Sequence, residues 1–182
     1  AEIPFYTNET IFDLREKPKK LVIVGGGPIG CELAQAFSYL GVDVTLLEAF
    51  SIMPRDEPDL VAIIREKLVQ VGIKIHECVK INKIQQNQNE IELSIEDAGV
   101  QKMITGSHLM IAAGRKPNIN GLNLERANII FSPKGIQTNQ QLRTTNKKVY
   151  AIGDVIGSFQ FTHIANYHAG IVIRNMLFKL PA

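Results

Sequence analysis

The chain has 182 residues, room for one domain or one domain and part of another, and its 45% hydrophobic and 21% charged residues are the balance of a globular chain. A formal net charge of +2 without a long basic run gives no footprint for nucleic acid, and no apolar stretch reaches the roughly 18 residues of a membrane span. Cys31 and Cys78, the two cysteines, show neither zinc nor redox spacing, and the opening AEIPFYTNETIF lacks the order of a signal peptide, so a cytoplasmic protein without metal or membrane partners is expected.

Residues 1–20 carry polar turn chemistry around Thr7, Asn8 and Glu9, then Pro18, and read as a lead-in that covers something else. Lys17, Lys19 and Lys20 form a local basic cluster that a solvated linker explains. Leu21 to Val24 are a short apolar, β-branched run, as a strand covered on both faces requires. Gly25, Gly27 and Gly30 follow at G-x-G-x-x-G spacing. Gly25 permits a sharp strand-to-helix turn, Gly27 lets a pyrophosphate approach the backbone, and Gly30 lets the helix pack closely on the strand. A helix from about Pro28 to Leu40 aims its N-terminal amides at that phosphate. Gly41 stops it. Val42, Val44 and Leu46 alternate into a second strand closed by Glu48, which lies 18 positions after Gly30, where an acid meets the adenosine ribose hydroxyls of NAD. The glycine spacing alone also fits a tight turn in an ordinary α/β unit with Glu48 solvated. The flanking strand, helix, strand and acid favour dinucleotide binding.

After Glu48 the loop SIMPRDEP leads to a second helix, with Asp56 as N-cap and Pro58 in the first turn. Leu60, Ile64, Leu68 and Val71 give it one apolar stripe, Gly72 stops it, and Ile73 and Ile75 open a third strand. From Cys78 to Gly106 helical periodicity is absent. Val79 and Ile81, then Ile91, Leu93 and Ile95, then Val100 to Ile104 read as short strands separated by QQNQNE and EDAG, an antiparallel meander in place of a crossover helix. Leu109 to Ala113 form a last buried strand, and Gly114-Arg115-Lys116-Pro117 is an exit from the domain. Beyond it lie extended pieces at Ile129–Phe131 and Gly135–Thr138, then a strand from Val149 to Ile152 stopping at Gly153-Asp154. A helix from Thr162 to Lys179 follows, with Ile164, Ile171 and Leu177 among its apolar positions. The expected fold is α/β: a Rossmann-like βαβαβ parallel sheet with an antiparallel meander, followed by a segment too small to close a core of its own.

GGGPIGCELA, LLE, AAGRKPN, VYAIGDV and FTHIANYHAGIV, in this order and over nearly the whole chain, resemble one family. They are similar to the class I pyridine nucleotide-disulfide oxidoreductases, the group of dihydrolipoamide dehydrogenase, glutathione reductase and mercuric reductase, and the ending looks most like the mercuric-reductase branch. The resemblance implies an NAD(P)-binding domain over 1–118 and a partial FAD-binding segment over 119–182. It implies that Gly25, Gly27, Pro28, Ile29 and Gly30 hold the NAD(P) pyrophosphate, with Glu32 near the nicotinamide and Gly114 beside the cofactor at the domain exit. On the residues alone Glu32 is a first-turn acid favoured by the helix dipole. Asp154 matches the family's flavin-binding aspartate, although by spacing alone it is a strand-end acid facing solvent. Phe161, Thr162 and Ala165 match the segment at the flavin pyrimidine edge, where a helix N-terminus stabilises negative charge on the reduced ring. His163 is read as a local cap or packing residue.

The family's first FAD motif and its redox Cys-x4-Cys are not in this sequence. Cys31 reads as a small buried hydrophobe, and no catalytic residue is expected in this chain. The implied parent passes hydride from NAD(P)H to FAD and on to a disulfide or metal substrate, and dimerises through a C-terminal domain beyond this stretch. An NADH oxidase, a ferredoxin-reductase-like flavoprotein and a stand-alone nucleotide-binding module are the alternatives. A short-chain dehydrogenase is excluded, because no tyrosine has a lysine four positions on. Glu48 favours NAD(H) over NADP(H), since a carboxylate accepts from a 2′-hydroxyl and repels a 2′-phosphate.

Overall fold

In a computed structural model, which describes residues 3–88 and 90–178, the chain divides into two compact units, one ending at Gly114 and one beginning at Arg115. The first unit opens on β1 (Lys20–Val24), α1 (Pro28–Tyr39), β2 (Asp43–Leu47), α2 (Pro58–Gln70) and β3 (Lys74–His76). β4 (Lys80–Asn87), β5 (Glu90–Asp97) and β6 (Val100–Gly106) follow, then β7 (His108–Ile111). The parallel sheet has the order β3-β2-β1-β7, and β4-β5-β6 form a separate antiparallel sheet.

Strand side chains alternate between faces, and here both faces are covered, which is why β1 and β2 are almost continuously apolar. Leu21, Ile23, Val44 and Leu46 pack on one face with Cys31 and Ala34 of α1 and Val61 and Leu68 of α2. Val22 and Leu47 pack on the other with Val79, Ile91, Leu93 and Ile95, so the meander replaces a helical layer. His76 Nδ1 lies 3.0 Å from Asp97 Oδ2, an oxygen that also accepts from Lys102, linking the sheet edge to the meander. The lead-in extends the other edge. Tyr6 N–H donates to the Leu109 carbonyl and the Tyr6 carbonyl accepts from Ile111, both at 2.8 Å, while Ile11 is buried in the core.

Several local expectations shift. α2 begins at Pro58 with Glu57, not Asp56, at the N-cap, and no side chain caps it; the Asp56 N–H instead closes a turn on the Met53 carbonyl. The buried stripe of α2 runs through Val61, Ile64, Leu68 and Val71. Leu60, one helical step round, is 59% exposed. α1 and β7 each end earlier than the apolar pattern suggests, at Tyr39 and Ile111.

In the second unit, β8 (Phe131–Ser132) and β9 (Gly135–Ile136) form a minimal hairpin. Val149–Ile152 joins no ladder and makes only a bridge from Tyr150 to Arg143, leading to a 3-10 turn at Gly153–Ile156. α3 runs Thr162–Phe178, and the expected end at Lys179 lies outside the described residues. Leu124, Ile129, Ile136 and Ala151 form the buried cluster of this unit. Of the apolar positions noted on α3, Ile164 and Ile171 are half-buried, whereas Leu177 is exposed. Among the described residues no helix is long and apolar enough to cross a membrane.

Candidate functional site

The C-terminal ends of β1 and β2 form the lip of a cleft of about 410 Å3, bordered by Gly25, Glu48, Cys78, Val79, Lys80 and Ala113. The chain reaches this lip through a glycine turn whose members meet different surroundings. Gly25 has φ +115, and a Cβ there would lie 2.5 Å from the Ala112 carbonyl oxygen, so the turn needs glycine both for its conformation and for its approach to the end of β7. A Cβ on Gly30 would land on the Gly25 carbonyl oxygen, so α1 sits on the turn with no room for a side chain. Gly27 is the N-cap of α1, and a Cβ there would meet nothing within 4 Å. Of the three glycines at the motif spacing, Gly25 and Gly30 are packed against backbone while Gly27 faces open space; Gly26 between them is packed against the side chains of Ile52 and Glu48.

Pro28 takes the first helical position, where its missing N–H costs nothing. Ile29 is half-buried and packs against the core. The first turn of α1 leaves backbone amides without intrahelical acceptors, aimed at the open side of Gly27, which is the arrangement an anionic pyrophosphate needs.

Glu48 is half-buried and reaches back to this turn. Its Oε2 accepts from the Gly26 N–H at 2.5 Å and its Oε1 from the Phe50 N–H at 3.0 Å. A carboxylate has about four acceptor positions, so two backbone donors fix the group and leave capacity for hydroxyl donors. The Gly26 carbonyl is held as well, accepting from Met53 N–H at 2.9 Å and from the Cys31 thiol at 3.4 Å. Burial, helped by the negative charges of Glu48, Glu32 and Glu77, pushes the Cys31 thiol up to about 12. It remains a neutral donor at physiological pH and is no thiolate nucleophile.

One expectation about this unit is revised. Glu32 lies beyond the first turn of α1, which contains no acid, and its side chain is exposed; the dipole argument weakens with distance from the helix end and does not account for it. Gly114, with φ +97 and open space around it, ends the unit, its N–H closing a turn on the Ala112 carbonyl.

In the second unit, Asp154, Phe161, Thr162 and Ala165 gather around the start of α3. Asp154 is exposed on the 3-10 turn, and its carbonyl accepts from Gly157. The Phe161 carbonyl accepts from Ile164 and Ala165 N–H groups, and its ring stacks on His163 at 5.3 Å. Thr162 is the first residue of the helix. Ala165 packs against Gly153, where an added Cβ would come within 3.2 Å of it. The Gly153 N–H donates to His168 Nδ1 at 3.2 Å, which places the ring proton on Nε2 in the neutral histidine.

Sequence reasoning missed His168, and in the first unit it missed Ile52, Arg65 and Glu77. Glu77 Oε1 accepts from the Ile52 N–H, and the carboxylate takes a two-point contact from Arg65. His168 lies within the FTHIANYHAGIV stretch, whereas Ile52, Arg65 and Glu77 fall in no motif, and the signal that joins those three is spatial.

The family model described as "Pyridine nucleotide-disulphide oxidoreductase" matches residues 2–169. The chain is 38% identical to the dihydrolipoyl dehydrogenase of Bacillus subtilis, over 94% of its own length and 39% of that protein's. It is 35% identical to a mercuric reductase of Staphylococcus aureus, over 97% of its own length and 32% of that protein's. Among solved structures, the HOCl-induced flavoprotein disulfide reductase RclA of Escherichia coli superposes with a TM-score of 0.88 at 31% identity, covering 98% of this chain and 40% of that one. The chain therefore spans well under half the length of these relatives.

Proposed function

The chain belongs to the pyridine nucleotide-disulphide oxidoreductase family, and from that premise we propose that its first unit is the NAD(P)H-binding part of an FAD-dependent oxidoreductase. The observation that carries this reading is the division of labour in the glycine turn: Gly25 and Gly30 are packed to contact, while Gly27 is open at the start of α1. The packed Gly25 and Gly30 would serve any turn this tight, whereas the open Gly27 at the helix start leaves the space a pyrophosphate would take, which supports the dinucleotide reading. Glu48, held by Gly26 and Phe50, is ready to accept from ribose hydroxyls. The preference for NAD(H) over NADP(H) rests on that carboxylate.

In the second unit, Asp154 would accept from the ribityl chain of FAD. The start of α3, at Phe161, Thr162 and Ala165, would present its free amides to the electron-rich edge of the ring. FAD in the whole protein supplies the hydride acceptor and the route onward to a disulfide or metal substrate. This chain's residues bind and orient NAD(P)H, and Cys31, neutral and buried, takes no part in electron transfer.

Titration of the purified chain with NADH, followed by nicotinamide fluorescence, tests the reading. Saturable binding that ADP-ribose displaces is expected. Absence of saturable binding by a folded chain overturns it. The visible spectrum of the same sample reports whether these residues alone retain flavin.

A further inference from the structure

Residues 49–57, whose first member Ala49 lines the cleft, are a loop without regular structure that is nevertheless tied down at successive positions. Phe50 donates its N–H to Glu48 Oε1, and its carbonyl accepts from Cys78 N–H at 2.9 Å. Met53 donates to the Gly26 carbonyl. Ile52 donates to Glu77 Oε1 at 2.7 Å. This last tie depends on a side chain from elsewhere in the fold.

Glu77 lies between β3 and β4, and Arg65 on α2 fixes its carboxylate. Arg65 Nε donates to Oε2 at 2.8 Å and Nη2 to Oε1 at 2.7 Å. A two-point guanidinium contact leaves the carboxylate a single orientation, and in that orientation Oε1 meets the Ile52 amide. Ile52 is fully buried, and its Cγ2 lies 2.9 Å from where a Cβ on Gly26 would stand. The isoleucine thus rests on the Gly26 peptide, the same peptide whose N–H is accepted by Glu48. Arg65, Glu77, Ile52, Gly26 and Glu48 make one connected chain from the middle of α2 to the lip of the cleft.

We infer that Arg65 and Glu77 are positioning residues for cofactor selection: by pinning Ile52 on Gly26 they hold the Glu48 carboxylate where it accepts from a ribose 2′-hydroxyl. The inference rests on the dinucleotide-binding reading above. A partly exposed ion pair contributes little to stability, so the function of this one lies in what its geometry fixes. With the tie cut, the Ile52 N–H loses its acceptor and the loop carrying the Phe50 N–H relaxes, which frees Glu48. NADH depends on that carboxylate and loses affinity. NADPH, whose 2′-phosphate the carboxylate repels, loses less.

Parallel titrations of the purified chain with NADH and NADPH test this in the parent, Glu77→Ala, Glu77→Gln and Arg65→Ala, with a thermal melt on each to confirm folding. Glu77→Ala and Arg65→Ala are expected to weaken NADH about tenfold and NADPH by less than about threefold. Glu77→Gln keeps a carbonyl for the Ile52 N–H and recovers part of the NADH loss. Equal losses for both cofactors, as a merely structural pair would give, overturn the inference. So does unchanged NADH affinity in a folded variant. If Glu77→Ala does not fold, Glu77→Gln and Arg65→Ala carry the same ratio measurement. A folded parent that binds neither cofactor defeats the dinucleotide reading itself, whereas a parent that binds and variants with an unchanged NADH-to-NADPH ratio defeat only the positioning role.

Discussion

Each unit sets a glycine-containing turn against the start of a helix, and the two are held in different ways. At α1 the ties come from far along the chain. Gly26 is bonded to Glu48 and Met53, and the loop that follows is bonded to Glu77. The strands beneath are sealed, with Leu21, Ile23 and Leu46 at 0% exposure. At α3 the turn is held by its helix, through His168 and Ala165, and by the β8–β9 hairpin, where Gly135 and Lys134 pack against Ile156 and Gly157. The small cluster of that unit keeps each member 6% exposed, and α3 itself buries only Asn175 among the described residues. The first geometry is fixed by several elements at once, so a change there reaches the cleft. At the second, a change is expected to stay within the helix, the turn and the hairpin packed on it.

The largest effects expected are at the packed glycines. Gly30→Ala drives a Cβ into the Gly25 carbonyl and Gly25→Ala drives one into Ala112, both backbone groups that cannot swing aside. Losses above about 3 kcal/mol are expected in urea unfolding, beyond ordinary overpacking. Gly27→Ala is the informative contrast. Its Cβ meets nothing in the protein, so stability should stay within about 0.5 kcal/mol of the parent, while NADH affinity falls at least about tenfold because the methyl occupies the phosphate's space. A stable Gly27→Ala that binds NADH normally would mean that the open space is not the phosphate seat.

Next in size is Glu48→Ala. Hydrogen bonds to a charged group are worth about 1.5–3 kcal/mol, which corresponds to a loss of NADH affinity of about ten- to a hundredfold, with a smaller loss for NADPH. Equal losses would remove the basis for an NAD(H) preference. In the second unit, His168→Ala removes the acceptor for the Gly153 N–H and is expected to cost about 1 kcal/mol in urea unfolding. NADH affinity should not change. A change in it would break the distinction between a far-reaching site and a local one.

The same contrast explains what could be read from the sequence. β1, α1 and β2 declare themselves because both faces of the parallel sheet are buried and the glycines sit where the turn requires them. The meander was legible from the loss of helical period after Cys78. The buried side of α2 was not, because Leu60 and Val61 both fit a 3.6-residue period to within one step, and only packing selects Val61. Glu48 was legible as an acid at the end of a strand, but not its bond to Gly26. Glu77, between β3 and β4, and Arg65, twelve residues earlier on α2, carry no periodic or motif signal. In the second unit short extended pieces bury little, so pattern had little to report, and Val149–Ile152 reads as a strand although it joins no ladder.

The smallest effect is expected at acid pH. Hydrogen bonds from Arg65 hold the Glu77 carboxyl below its ordinary value of 4.5; the Ile52 N–H acts in the same direction, and burial opposes both. A carboxyl whose folded pKa lies below its unfolded one binds fewer protons in the folded chain, so its contribution is fully present above about pH 4.5 and is lost as pH falls through the folded value. The pair is partly exposed, with 35% of the Arg65 side chain and 23% of the Glu77 side chain accessible, which limits the contribution to at most about 1 kcal/mol. The stability difference between the parent and Glu77→Gln, measured by urea unfolding, should therefore be constant from pH 7 to 5 and shrink at lower pH. A difference near zero at every pH from 7 to 3 would show that Glu77 acts through its shape alone. The tie to Ile52 would then survive in the glutamine variant, and the recovery of NADH affinity expected for that variant should be nearly complete.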